Sequence, residues 1–186
     1  MDASDEMVAM ARERLPDAGQ RLLRSEIETL PFDDAQFDVV LSTGALEYTN
    51  LGAAIGELAR VLRPGGLTVV SYVNRHAAYA LWRTRVFYPM VEIAKLVVGQ
   101  EPRVRPRGRG GLVTAARFRE LLAAAGLEPK ATVYTSFLVL PSPLDTLLPN
   151  LAERLGRSLE GRRSSTTDWL STQIVFSARK PHAKRR

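Results

Sequence analysis

Phe37-Asp38-Val39-Val40-Leu41-Ser42, then Leu51 to Leu62, then Leu67-Thr68-Val69-Val70-Ser71-Tyr72-Val73: this run of the chain decides the fold. The first and third pieces are compact apolar runs, which is how strands buried on both faces read. Between them Ile55, Leu58, Ala59 and Leu62 recur at i, i+3, i+4 and i+7, one face of a helix. Arg63-Pro64-Gly65-Gly66 ends that helix, since glycine and proline cannot continue it. Strand, helix and strand in this order predict a βαβ unit in a parallel sheet, with a right-handed crossover.

Outward from this unit, Ser4 reads as the N-cap of a helix over 5–15, with Asp5 and Glu6 in its first turn, where the helix dipole favours acids. Met7, Met10, Ala11 and Arg14 share one face of it. Residues 21–27 read as a short strand and residues 30–34 as a loop. On the other side, residues 76–98 are aromatic-rich and helical, and 101–111 form a basic loop broken by Pro and Gly. Thr114 caps a helix over 115–125 that Gly126 closes. Residues 130–140 are rich in β-branched and aromatic residues, as strands are. An amphipathic helix over 145–160 and a strand over 171–178 follow, then a basic tail over 181–186. The expected organisation is one domain over 1–180, with a lid-like insertion and basic loop at 74–112.

Hydrophobic residues make up 45% and charged residues 25% of the 186, ordinary for a globular chain able to bury a core. The absence of cysteine excludes disulfides, thiolate metal sites and cysteine nucleophiles. No apolar run reaches the roughly 18 residues of a membrane helix, and the acidic start differs from a signal peptide. A cytoplasmic location is the expectation. Residues 1–72 hold 6 Lys+Arg and 12 Asp+Glu, whereas 73–186 hold 20 and 8. Such asymmetry predicts two faces with different work to do.

Four segments, in order, resemble class I S-adenosylmethionine-dependent methyltransferases. Residues 1–7, Met-Asp-Ala-Ser-Asp-Glu-Met, are similar to the end of that family's second strand and the start of the next helix. Residues 26–32, Glu-Ile-Glu-Thr-Leu-Pro-Phe, resemble its adenine loop. Residues 37–48 resemble its fourth strand and the loop beside the sulfonium. Leu58-Ala59-Arg60-Val61-Leu62-Arg63-Pro64-Gly65-Gly66 resembles the turn before its fifth strand. The resemblance is dense over 1–73; beyond, only the order of elements agrees.

This implies an α/β, Rossmann-like, mostly parallel sheet with helices on both faces and an antiparallel C-terminal strand. It implies S-adenosylmethionine as cofactor. Asp2 would accept from the ribose hydroxyls, the logic of an acid at a strand's carboxyl end. Glu26 would accept from the adenine amine, and the Ile27 backbone would meet the ring edge. Met7, Ser42 and Thr43 complete the expected cofactor contacts. Glu47, Tyr48 and His76 are the candidates for proton transfer should the acceptor be a poor nucleophile. No metal is implied.

The family's first strand and Gly-x-Gly-x-Gly-like loop have no counterpart here, so the domain reads as N-terminally truncated. Three resolutions are open: a start upstream of Met1, a partner chain supplying strands, or residues 21–27 pairing beside 37–42. The aromatic residues Tyr79, Trp82, Phe87 and Tyr88 lie where the family inserts a lid. Arg103, Arg105, Arg107 and Arg109 suit an anionic substrate or, together with the 145–160 helix, an anionic membrane surface. Methyl transfer to a small-molecule or lipid-like acceptor is the expected function. The alternative is a non-catalytic binding or scaffold subunit. Nucleic acid is disfavoured, because no stacking-aromatic pattern accompanies the basic charge.

Overall fold

The computed structural model describes residues 1–97, 113–140, 144–159 and 165–182. The expected basic loop at 101–111 lies outside these residues. The described chain contains helices α1 (Asp5–Arg14), α2 (Leu51–Val61), α3 (Ala78–Trp82), α4 (Tyr88–Val97), α5 (Ala115–Ala124), α6 (Leu144–Leu147), α7 (Pro149–Leu159) and α8 (Ser165–Leu170). The strands are β1 (Phe37–Ser42), β2 (Leu62–Val73), β3 (Glu128–Phe137) and β4 (Ser171–Arg179). They form one mixed sheet in the order β1-β2-β4-β3. β1 and β2 pair in parallel across α2, as the βαβ reading requires, and β4 runs antiparallel to both β2 and β3.

Local chemistry explains the boundaries. The Asn50 side chain accepts from the Gly52 and Ala53 amides and starts α2. Ser4 and Thr114 do the same for α1 and α5, as expected. Gly126, at φ +78°, follows α5 in the left-handed conformation that glycine adopts without strain.

The pairing register aligns side chains in rows. Val40, Thr68 and Ala178 share one face with Ser42, Val70 and Phe176, and with Tyr72, Ile174 and Tyr134. That face carries the core, closed by Leu58 and Ile55 of α2 and by Phe118 and Leu122 of α5. Phe118 lies between Phe176, stacked at 4.4 Å, and Tyr72 at 5.0 Å. The opposite face is thinly covered, with Val39, Leu41 and Val133 exposed.

Several expectations change. Residues 21–27 build no ladder: among the described residues their pairing is a single parallel bridge, Asp2 with Arg24. They do not close beside 37–42, where β1 pairs with β2 alone. Arg63-Pro64-Gly65-Gly66 is not a turn outside the strand. β2 begins at Leu62 and carries these residues, with a register shift against β1. Gly65, at φ +85°, and Gly66 bond to Lys180 across the sheet. His182, expected in a free tail, packs where a Cβ on Gly65 would be. Met7 and Met10 face solvent, and Val8 is the buried residue of α1. The 76–98 helix contains a π-helical turn, Arg83–Phe87. The 145–160 helix divides into α6 and α7 at Pro149, whose missing amide suits a first turn.

Candidate functional site

The carboxyl end of β1 leads into the loop Thr43–Tyr48. Gly44, at φ +65°, donates its amide to Ser71 Oγ at 3.2 Å, tying this loop to the end of β2. Glu47 then turns inward. Its Oε1 accepts from the Val73 amide at 3.0 Å, while Oε2 is buried with no partner among the described residues. Burial pushes the Glu47 carboxyl above its ordinary range, against the opposing pull of two backbone hydrogen bonds. Burial also raises Tyr72, whose hydroxyl accepts from the Val113 amide at 3.2 Å.

One residue further, Asn74 organises the same end of the sheet. Its Nδ2 donates to the carbonyls of Asp168 (3.0 Å) and Ser171 (2.9 Å), and its Oδ1 accepts from the His76 amide (3.1 Å). Sequence reading passed over Asn74. The available signal was an asparagine between an apolar strand and a helix, a position where a side-chain amide replaces missing backbone partners.

The segments of the two expected nucleoside acids run side by side. Asp2 donates its amide to the Leu23 carbonyl at 3.2 Å, and Ser25 donates its amide to the Asp2 carbonyl at 3.0 Å, which sets Asp2 opposite Arg24. Both acids are exposed. Asp2 Oδ1 accepts from the Ser4 amide at 2.8 Å, which orients the carboxylate and leaves it further acceptor sites. The segment after Glu26 is pinned to α2. Glu28 accepts from the Asn50 amide at 2.9 Å and Glu57 from the Leu30 amide at 2.8 Å. Arg60 donates to the carbonyls of Leu30 and Phe32, to Asp34 and to both oxygens of Glu57. The Arg60 guanidinium holds Glu57 below the usual carboxylate range.

Arg60→Ala should therefore release residues 28–34. Hydrogen exchange at the Leu30 amide should accelerate and the melting temperature should fall. Unchanged exchange at Leu30 would show that the loop is held by other contacts.

Of the remaining expected residues, Ser42 is buried and Thr43 exposed at the carboxyl end of β1, and Ile27 packs against the core. Met7 is exposed on α1. Tyr48 is 67% exposed, whereas the neighbouring Glu47 is buried. The His76 ring is exposed and makes no hydrogen bond or ion pair with Glu47 or Tyr48. The structure thus brings the segment of Asp2 alongside Arg24-Ser25, next in sequence to Glu26, and ties Glu47 to the end of β2, but does not assemble Glu47, Tyr48 and His76 into one constellation.

Beyond Asn74 an open cavity of about 480 Å³ is lined by Tyr79, Trp82, Arg85, Leu138, Val139 and Trp169, among others. Tyr79 and Trp82 were expected in a lid. Leu138 and Val139 were expected in the strand over 130–140, yet β3 ends at Phe137 and they turn away to line the cavity. The lining is apolar apart from a few groups, and the size suits a small organic molecule.

A mixed α/β sheet with a parallel βαβ unit and a terminal antiparallel pair defines a Rossmann-like architecture. Residues 1–70 match the family described as a methyltransferase domain. The chain is 30% identical over 100 residues to the ubiquinone/menaquinone biosynthesis C-methyltransferase UbiE of Idiomarina loihiensis, covering 51% of this chain and 40% of that one. It is 40% identical over 72 residues to the phthiotriol/phenolphthiotriol dimycocerosates methyltransferase of Mycobacterium tuberculosis, covering 38% and 26%. A solved S-adenosylmethionine-dependent methyltransferase from Thermotoga maritima superposes with TM-score 0.59 at 19% identity, over 96% of this chain and 70% of that one. The resemblance to class I S-adenosylmethionine-dependent methyltransferases therefore holds in sequence over the first 70 residues and in fold beyond them. The chain spans less than half the length of these curated relatives.

Proposed function

We propose that this chain belongs to an enzyme that transfers a methyl group from S-adenosylmethionine to a small-molecule or lipid-like acceptor. The observation that carries the reading is the bridge setting Asp2 beside Arg24-Ser25, which brings its segment next to that of Glu26. Two exposed carboxylates on segments that the backbone holds side by side fit a nucleoside, which offers a ribose diol and an amine as donors. Asp2 would hold the ribose, Glu26 the adenine amine, and the Ile27 backbone the ring edge. Ser42 and Thr43 lie where the loop after β1 would meet the reacting end. The cofactor, when bound, supplies an electrophilic methyl on a sulfonium.

The protein's own contribution is placement. Glu47 has its free oxygen closed to solvent, so it positions the β1 and β2 ends and does not touch the acceptor. Tyr48 and His76 face solvent and are the candidates for contact with it. The apolar cavity at Tyr79, Trp82 and Trp169 supports an acceptor with a substantial hydrophobic part. The names of the two curated relatives, which concern quinone and dimycocerosate methylation, support the same substrate class.

The outer edge of β1 has no strand partner among the described residues, and exposed edges invite pairing. This supports a further strand, from a longer chain or from a partner subunit, completing the sheet. The second reading is a non-catalytic binding subunit with this fold.

Calorimetry with S-adenosylmethionine decides between them. The 186-residue chain should bind it, and Asp2→Ala should weaken binding by about 10- to 100-fold, the range for a lost charged hydrogen bond. Glu13→Ala, an exposed acid elsewhere on α1, should leave binding unchanged. No binding by the unaltered chain would mean that these residues need a further strand to form the site, or that the non-catalytic reading holds.

A further inference from the structure

We infer that the cavity beyond Asn74 binds a small organic acid, its aromatic body among Tyr79, Trp82 and Trp169 and its carboxylate on Arg85. The inference rests on the reading that this cavity takes the methyl acceptor, and it names the acceptor's chemical class.

Position links the cavity to the end of the sheet. Asn74, directly after β2, donates to the carbonyls of Asp168 and Ser171. Trp169 and Leu170 lie between those two residues, so the end of β2 holds this part of the wall. The loop Thr43–Tyr48 is tied to the same end of β2 through Gly44 and Glu47. Another part of the wall is helical. Ala78, Trp82 and Arg85 recur at spacings of four and three, along one side of α3 and the π-helical turn after it. Such turns recur at functional sites.

Charge selects the ligand. Arg85 is the charged side chain lining the cavity, and it makes no hydrogen bond or ion pair with another described residue. No described carboxylate lines the cavity. The Tyr79 hydroxyl donates to Asp145 Oδ2 at 2.7 Å, and Asp145 Oδ1 accepts from the Thr146 amide at 2.9 Å, so the acid beyond Tyr79 is engaged through both oxygens. A guanidinium without a counter-charge, set at apolar and aromatic walls, matches a ligand with an apolar body and one anionic group. Its forked donors fit the two oxygens of a carboxylate. The flat rings of Tyr79, Trp82 and Trp169 suit an aromatic body by stacking or edge contact. A cationic ligand would be repelled, and a neutral one would leave Arg85 unused.

Calorimetry of the 186-residue chain without cofactor tests this, with biphenyl-4-carboxylate and its neutral isostere biphenyl-4-carboxamide as probes near neutral pH. The carboxylate should bind about tenfold more tightly, the scale of one charge-assisted hydrogen bond at a partly exposed site. Raising salt should narrow that preference. The chain has two tryptophans and both line the cavity, so tryptophan emission should change as the carboxylate binds. Arg85→Gln should weaken the carboxylate about tenfold and leave the carboxamide unchanged, whereas Arg85→Lys should keep most of the preference. Arg119→Gln, which removes an exposed arginine on α5, should change neither. Circular dichroism should be the same for all four proteins.

Absence of carboxylate binding, or equal affinity for the two probes, would overturn the inference whatever the variants do. Equal weakening of both probes by Arg85→Gln would also overturn it, because Arg85 would then shape the cavity and not read charge. So would an equal loss with Arg119→Gln. The test is separable from the cofactor reading. S-adenosylmethionine binding without acid binding defeats this inference alone, and acid binding without S-adenosylmethionine binding leaves an acid-binding cavity and places the fault in the cofactor site.

Discussion

Phe118→Ala should destabilise the fold by about 3–5 kcal/mol, the range for deleting a buried aromatic ring. Phe118 is fully buried and lies against both Phe176 of β4 and Tyr72 of β2. Its removal leaves a void where α5 meets two strands, and dense packing around it limits collapse. The same site supports Tyr72, whose hydroxyl accepts from the Val113 amide at the entry to α5. A domain of this kind has only about 5–15 kcal/mol to lose, so the variant should be largely unfolded at moderate urea concentration. Urea titration followed by circular dichroism measures it: the midpoint should fall with little change in slope. A shift under about 1 kcal/mol would mean that α5 does not close the core as described.

Glu47→Ala should cost about 1–3 kcal/mol, because the Val73 amide then loses its acceptor in a buried place. Glu47→Gln keeps an acceptor there and should be milder, and it separates the hydrogen bond from the charge. Burial raises the Glu47 carboxyl in the folded protein, so the folded state holds its proton to higher pH than the unfolded state does. Where the two states differ in this way, stability falls as pH rises from the ordinary carboxylate range, about 4.3, up through the raised value. Above that value the whole penalty is present. The Gln variant lacks this dependence, so its stability relative to the unaltered protein should improve as pH increases toward neutrality. Parallel pH-dependent curves for the two proteins would show that the carboxyl is not held above its ordinary range.

Much of the fold was legible because it rests on short-range periodicity. The apolar runs at 37–42 and 67–73 read as strands and are strands, with a helix between them from the spacing of Ile55, Leu58, Ala59 and Leu62; the expectation that both are buried on both faces fails for β1, whose Val39 and Leu41 are exposed because no layer covers that face among the described residues. Caps at Ser4 and Thr114 were readable for the same reason: a side-chain oxygen satisfies an amide two or three residues away. Residues 21–27 failed because their strand character was marginal and depended on a partner. Among the described residues their one bridge is to Asp2, and one bridge does not make a strand. The end of β3 was misjudged because Leu138 and Val139 are as apolar as the strand before them, and composition does not say whether a residue pairs in a ladder or lines a cavity.

The candidate site divides along the same line. Asp2, Glu26 and Glu47 could be picked out by type and order. Their environments could not. Whether Glu47 meets solvent depends on Val73, a residue 26 positions away that donates to it. Asn74 draws in the Asp168 and Ser171 carbonyls, 94 and 97 positions distant. Arg60 holds a loop that precedes it by some 26–30 residues.

By itself, then, the sequence determined the βαβ unit, the helix caps, the charge asymmetry and the resemblance carried by residues 1–73. These follow from periods of two and 3.6 residues and from local hydrogen bonds, which a chain encodes over a few positions. Only the tertiary structure decided that β4 inserts between β2 and β3, that Asp2 lies opposite Arg24, that Glu47 is buried and that Trp82 and Trp169 line one cavity. Each of these depends on contacts between residues far apart in the chain, where burial and pairing are set by what the rest of the molecule places alongside.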